Sequence, residues 1–226
     1  MLKAFNSEYR LFIDFDNTIS CGDVLDSVIE TFAVGNRAQE LELEWASGKI
    51  GAKECLDGQL RSIKATPKAL ADHLATVTID SGFSKILQLT TEHNIEIAIL
   101  SDNFDLILTP ILKRLGLSHV PCYSNHLERN GDYFTPSFPY WNKDCPGCAH
   151  CKKTHFSPRQ HDKRKVVYVG DGRSDICPSL NSDIVFAKDS LLSYLNNTEF
   201  SCFPFHNLGQ VFKLFTTLIH DKHTTH

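Results

Sequence analysis

At 226 residues, with 42% of them apolar and 22% charged, the chain can bury one full core and an appended subdomain in the manner of a soluble globule. A net charge of −4 and a pI near 6.2, with no basic stripe, argue against nucleic acid as a partner. No window approaches the ~18 apolar residues of a membrane span, and Met1-Leu2-Lys3-Ala4-Phe5-Asn6-Ser7 lacks the apolar stretch of an export signal. The expectation is no membrane partner, a cytoplasmic location and reduced cysteines.

The first predicted strand, Tyr9 to Asp14, is followed by helices alone: Val24–Phe32, Arg37–Ser47, Ala52–Ile63 and Pro67–Thr76. Each carries apolar residues at helical spacing (Val24, Leu25, Val28, Ile29; Leu41, Leu43, Trp45), and Pro67 suits a first helical turn. Strand and helix then alternate: helix Ser81–His93, strand Ile95–Leu100, and a helix from Phe104 to Leu115 in which Pro110 predicts a kink or a late start. A short strand is expected at His119–Tyr123, and Asn130-Gly131 signals a hairpin within Leu127–Phe134. After a polar knot from Cys145 to Lys153 come a short helix, strand Lys165–Val169, helix Ile176–Asn181, strand Ile184–Ala187 and helices Ser190–Asn196 and Leu208–Ile219. Alternating elements with β-branched strands mean an α/β fold, a parallel sheet with helices on both faces.

Three predicted strands end in polar clusters: Asp14/Asp16, Ser101/Asp102 and Asp171/Asp175. Residues 14 and 16 start on the same side of a strand. At an effective dielectric of ~20, two such charges ~4 Å apart repel by roughly 4 kcal/mol, so the pair asks for a hard cation or a shared proton. A strand running into an Asx turn is the bland alternative for Asp-x-Asp in isolation. In parallel sheets, however, strand carboxyl ends converge on one crevice. What they bring there is clustered carboxylates for Mg²⁺, a hydroxyl with helix-start amides for phosphate, and nearby lysines for its charge.

With these motifs in place, the chain resembles phosphatases of the haloacid dehalogenase superfamily over nearly its whole length. Asp14-Phe-Asp16-Asn-Thr18 is similar to their first motif, Ser101 to the second, a lysine before the last motif to the third, and Gly170-Asp171-Gly172-Arg-Ser-Asp175 to the fourth. The helical block is similar to the C1-type caps of the phosphoserine-phosphatase-like branch. The resemblance therefore implies a three-layer, Rossmann-like core (1–22 and 78–226) with an inserted all-helical cap (23–77). Residues 145–152, 169–178 and 185–189 look closest to two groups. One is the methionine-salvage phosphatases acting on a 2-hydroxy-3-keto enol phosphate; the other is the phosphoethanolamine/phosphocholine phosphatases.

The chemistry expected is hydrolysis of a small-molecule phosphate ester. Asp14 is the expected nucleophile, forming an aspartyl-phosphate, and Asp16 the acid that protonates the leaving alcohol and then activates water. Resemblance implies Mg²⁺ on the Asp14 carboxylate, the Asp16 carbonyl and Asp171, with Asp175 orienting a bound water or the lysine. Ser101 and the amides from Asp102 onward would grip phosphate. Lys152, directly after the cysteine knot, is the expected phosphate lysine, although Lys153, Lys163 and Lys165 also precede the last motif. Asp23 reads either as a cap carboxylate touching substrate or as the N-cap of the helix from Val24. Arg61 reads as a surface arginine, and the histidines form no triad. The favoured substrate is a methionine-salvage-type enol phosphate or a phosphoserine-like ester, ahead of phosphoethanolamine or phosphocholine. Transfer to an alcohol stays open, and a non-catalytic binding module is disfavoured by the intact acid set.

Cys145-x2-Cys148-x2-Cys151-x3-His155 has the donors of a tetrahedral zinc site. The favoured expectation is a reduced loop shaping the pocket wall, with zinc, a disulfide and an iron–sulfur run as alternatives.

Overall fold

The computed structural model describes residues 8–145, 147–156 and 163–221. The readings of Met1–Ser7 as the chain start and of 222–226 as a polar end, including His223 and His226, fall outside them.

A seven-stranded sheet in the order β4-β3-β2-β1-β5-β6-β7 organises the chain. At its centre is β1 (Tyr9–Ile13), every residue of which is buried. It pairs in parallel with β2 (Glu96–Phe104) on one side and β5 (Lys165–Gly170) on the other. Strand alternation sends Leu11, Ile13, Ile99, Val167 and Val169 into the main core, and Phe12, Ala98, Leu100 and Tyr168 into a smaller cluster across the sheet. The main-core face is covered by α5 (Gly82–Glu92), α6 (Asp105–Arg114) and α9 (Leu208–Asp221). The opposite layer is thinner: a 3₁₀ turn at Lys152–Phe156, α7 (Ile176–Ser179) and α8 (Asp189–Asn197).

Four helices stand between β1 and α5: α1 (Val24–Phe32), α2 (Arg37–Ala46), α3 (Ala52–Ser62) and α4 (Pro67–Leu74). They lie within a residue or two of the spans read from periodicity. Asp23 caps α1 by accepting from the Asp26 amide at 2.8 Å, and Thr66 caps α4 with Pro67 in its first turn. The two chain crossings at the base of this block are laced together: Cys21 N donates to Thr78 O and Asp80 N to Ile19 O, beside a Ser20–Ile79 bridge. Val28, Leu60, Ile63 and Leu74 join the same apolar cluster as the sheet.

The hairpin expected at Asn130-Gly131 is present: β3 (Cys122–Asn130) and β4 (Tyr133–Ser137) pair as an antiparallel hairpin at one edge of the otherwise parallel sheet. Its turn holds Gly131 at φ 65°, as the Asn-Gly signal requires. The strand read at His119–Tyr123 instead begins at Cys122, where pairing to Ile99 starts, and runs on as one strand to Asn130. Pro110 neither delays nor interrupts α6, which runs through it. A two-residue edge strand, β7 (Phe203–Pro204), is too short to show a period and was not foreseen.

Candidate active site

The carboxyl ends of β2, β1 and β5, the three central strands, place the polar motifs side by side. Asp14 follows β1 directly, and its amide donates to Val169 O of β5 at 2.9 Å. Lys152, at 1% exposure, brings Nζ within 2.7 Å of both Asp14 Oδ1 and Asp175 Oδ1 and 3.2 Å from Ser174 Oγ. Between Lys152 and Lys153 the structure therefore puts Lys152 at the acids. A lysine buried among carboxylates holds its proton: Asp14 and Asp175 keep it well above its ordinary range against the cost of burial.

Asp175 is a hub. Its Oδ2 accepts from the Asp171 and Gly172 amides at 2.9 and 3.0 Å, while Oδ1 takes Lys152 and the Tyr168 hydroxyl. Gly170 makes room for it, since a Cβ there would lie 2.6 Å from the Asp175 carboxylate. Asp171 is held from the other side, accepting from Thr18 Oγ1 at 2.7 Å and Asn17 Nδ2 at 2.9 Å. Asn17 adopts φ 53°, a left-handed conformation that asparagine tolerates.

Asp16 sits at the start of α1, where Oδ1 accepts from the Val24 and Leu25 amides at 3.0 and 3.2 Å. Asn103 Nδ2 reaches both of its oxygens, and Ser101 Oγ donates to Oδ2 at 3.1 Å. Burial first, and then Asp23, raise its pKa to about 7 against these hydrogen bonds. Such a carboxyl can carry or release a proton near neutrality. Strand alternation puts Ser101 and Asn103 on one face of β2, so both address it.

Two residues expected to bind phosphate have other engagements. The Ser101 hydroxyl is directed to Asp16 and accepts from the Asn103 amide at 3.0 Å, so gripping phosphate requires it to change acceptor. Asp102 Oδ1 accepts from the His150 amide at 3.0 Å, pinning the cysteine loop to β2. Its carboxylate would repel a phosphate, so only its backbone suits that task. Asp23 is at once the α1 cap and part of the pocket wall. Arg61 pairs on the surface with Asp57 at 2.8 Å, as expected.

Above these groups lies a cavity of about 260 Å³. Its floor is Asp14, Asp16 and Asp171; its opposite wall is Asp23, Asp26, Glu42, Trp45 and Gln59 from the helical block. Arg173, after β5, lies 4.5 Å over the Trp45 ring, and Lys53 lies 4.0 Å over Trp141, so the two walls touch at the mouth. Desolvation on the cavity side raises Asp23 to about 7, with help from Asp26, and Asp26 to about 6, with help from Glu42 and Asp16, while both residues keep an exposed side. Asp26, Glu42, Trp45 and the supporting Asn17, Thr18 and Asn103 were not foreseen. Of these, Asn17 and Thr18 sit inside the first motif and Asn103 directly follows Ser101-Asp102, so their positions, though not their partners, were in view.

The floor fits a hard cation. Asp14, Asp171 and Asp175 offer oxygens within 4.8 Å of one another, and Lys152 is the one buried cation on three carboxylates among the described residues. Burial and Asp175 push Asp14 well above the ordinary carboxylate range, and Asp171 is likewise raised. A second positive charge would let both ionise at neutral pH.

Fold and floor together define a hydrolase with its acids at parallel strand ends. The chain belongs to the haloacid dehalogenase-like hydrolase family, whose model matches residues 11–177. It is 26% identical over 209 residues to the 2-hydroxy-3-keto-5-methylthiopentenyl-1-phosphate phosphatases of Bacillus thuringiensis subsp. konkukian (strain 97-27) and Bacillus cereus (strain AH820), covering 89% of this chain and 93% of theirs. Among solved structures it is similar in fold to a phospho-aspartyl intermediate analogue of phosphoserine phosphatase, with TM-score 0.66, 17% identity and coverage of 92% and 98% of the two chains. The phosphoserine phosphatase of T. onnurineus gives TM-score 0.65, 16% identity and coverage of 95% and 96%. Among the described residues, no helix is long and apolar enough to cross a membrane.

Proposed function

We propose that this hydrolase is a Mg²⁺-dependent phosphomonoesterase acting on a small phosphate ester, with Asp14 as the nucleophile. The observation that carries this is the buried Asp14–Lys152–Asp175 chain beneath an acid-walled cavity, with Asp16 raised to about 7 alongside. Mg²⁺ would be held by Asp14, Asp171 and the Asp16 carbonyl, where it neutralises the phosphate and steadies the transferring group. Lys152 holds Asp14 Oδ1, so the other oxygen attacks phosphorus and an aspartyl-phosphate forms as the ester oxygen departs. Asp16 gives that oxygen its proton, then takes one from the water that hydrolyses the acyl phosphate. Asp175 keeps Lys152 and the Asp171 backbone in place. Residues 23–77 serve as the cap and residues 1–22 with 78–226 as the core, with closure shutting bulk water out.

Asp23, Asp26 and Glu42 on the cap wall, with Trp45 beside them, favour a substrate whose alcohol half carries an amine, as in phosphoserine, phosphoethanolamine or phosphocholine. The order expected from sequence put an enol phosphate or a phosphoserine-like ester first; the cap wall favours the second of these and moves phosphoethanolamine and phosphocholine up beside it. The name of the Bacillus relatives supports that enol ester as the second reading, and Leu25 and Leu56 supply apolar wall for it. Phosphate release across both kinds of ester, with and without Mg²⁺, decides. Amine-bearing esters turned over at least tenfold more efficiently support the first reading, and the reverse order the second. No Mg²⁺-dependent release from any monoester contradicts the whole assignment.

A further inference from the structure

The cysteine knot gathers differently from its linear spacing. Cys145 Sγ lies 3.5 Å from Cys148 Sγ and 3.7 Å from Cys177 Sγ, and the three sulfurs fall within 4.8 Å of one another. Cys151, 1% exposed, sits on the same loop but outside that group of three sulfurs. His155, the donor expected from spacing, is turned away: its Nε2 is 2.7 Å from His150 Nε2, and both rings lie against Tyr140. The sulfur that joins Cys145 and Cys148 is therefore a cysteine from α7, two residues past Asp175.

We propose that Cys145, Cys148 and Cys177, with Cys151 drawn in as the fourth thiolate, hold one structural zinc ion that clasps the Lys152 loop to the Asp175 turn. A tetrahedral zinc with Zn–S near 2.3 Å spaces its sulfurs about 3.8 Å apart, close to the 3.5 and 3.7 Å that separate Cys145 from Cys148 and Cys177. A disulfide would bring two of them to about 2.05 Å, and all four are free thiols. Thiols are weak donors and weak acceptors, so mutual S–H contacts give a loop with little regular structure little to stand on. A metal ion is the strong partner this cluster is built to accept. Lys153 acts electrostatically on both Cys151 and Cys177, which suits the net negative charge of a zinc tetrathiolate. The consequence reaches the catalytic floor. Cys151 precedes Lys152, Cys177 follows Asp175 by two, and the ion would lock the 2.7 Å Lys152–Asp175 contact from behind. This inference stands apart from the identity of the substrate and from the Mg²⁺ site.

The test is metal analysis of the full chain purified without added metal, followed by cobalt substitution. About one zinc per chain is expected, and the cobalt form should show the intense visible and sulfur-to-metal bands of a tetrahedral tetrathiolate. Cys177→Ser should lower zinc content at least tenfold, whereas Cys202→Ser should leave it unchanged. Stripping the zinc should raise KM for phosphate esters, and added Mg²⁺ should not restore it. Zinc below about 0.1 per chain with no cobalt uptake overturns the proposal. So does a disulfide found among the four, a cobalt spectrum lacking four sulfur ligands, or zinc content indifferent to Cys177→Ser. The cobalt spectrum of the unsubstituted chain keeps the test decisive even if Cys177→Ser does not fold.

Discussion

The two walls of the cavity are both acidic, yet their acids are held in opposite ways. On the floor, Asp14, Asp171 and Asp175 are each fixed by named donors: Lys152, Thr18 and Asn17, and backbone amides with Tyr168. On the cap wall, Asp26 lies beside Glu42 and Asp16, and desolvation first, then those two acids, push it to about 6. A pinned acid is prepared for a reaction whose geometry never changes. An acid repelled by its neighbours is prepared to receive a positive charge. On the proposed function, the difference separates the chemistry, on the floor, from the choice of substrate, on the wall formed by residues 23–77.

The largest effect that sharpens this contrast is expected at Asp14. Asp14→Asn should lower kcat by about 10³-fold or more, since it removes the nucleophile outright. Its circular dichroism should stay native. Freshly purified, deamidation-free protein retaining more than a few percent of turnover would break the floor's assigned role. Next comes Lys152→Met, which leaves Asp14 and Asp175 buried without their cation. Breaking a buried pair from one side costs about 3–5 kcal/mol, so urea unfolding should show a loss of that size together with a collapse of activity. The cap wall should respond differently. Asp26→Asn should raise KM for an amine-bearing ester about tenfold, leave kcat nearly unchanged, and spare an ester without the amine. Equal effects on both esters would erase the distinction between the walls.

The smallest effect is on stability. Asp16, Asp23 and Asp26 bind protons more tightly when folded, at about 7, 7 and 6, than their ordinary 3.8. The folded state thus holds more protons than the unfolded one across this window, so stability falls as pH rises from about 4 towards 7. Melting of metal-free protein at pH 5 and pH 8 should show Tm lower at pH 8, at about 2–4 °C per kcal/mol for a chain of this size. Adding Mg²⁺ at pH 8 should recover part of it. A Tm that rises with pH and ignores Mg²⁺ would mean the acids are not strained by one another.

The floor was legible in the sequence because its residues sit within short motifs at strand ends, and a parallel sheet brings strand ends together by rule. Asp14, Asp16, Ser101, Asp171 and Asp175 could be gathered on that argument before any distance was known, whereas Lys152, in a loop, was singled out by the resemblance of the cysteine knot. The donors that fix them could not. Thr18 reaches Asp171 and Asn103 reaches Asp16 only because β1 lies between β2 and β5, a strand order that no local spacing encodes. The helices of the cap were legible from their period, but which of their polar faces looks into the cavity was not. Asp26 and Glu42 read as solvated positions, and Trp45 as one more apolar position on its helix, until the block folds back over the sheet. Cys177 was hidden for the same reason, since its partners lie a strand and two loops away. The antiparallel hairpin shows the converse: Asn130-Gly131, a purely local signal, announced the turn.

Covalent labelling tests the central claim most directly. Enzyme mixed with its best ³²P-labelled ester and quenched in acid within the first turnover should carry label on the peptide containing Asp14. That label should be released by hydroxylamine, as an acyl phosphate is, and be absent from Asp14→Asn. Label on any other residue, or label that persists in Asp14→Asn, would contradict the account.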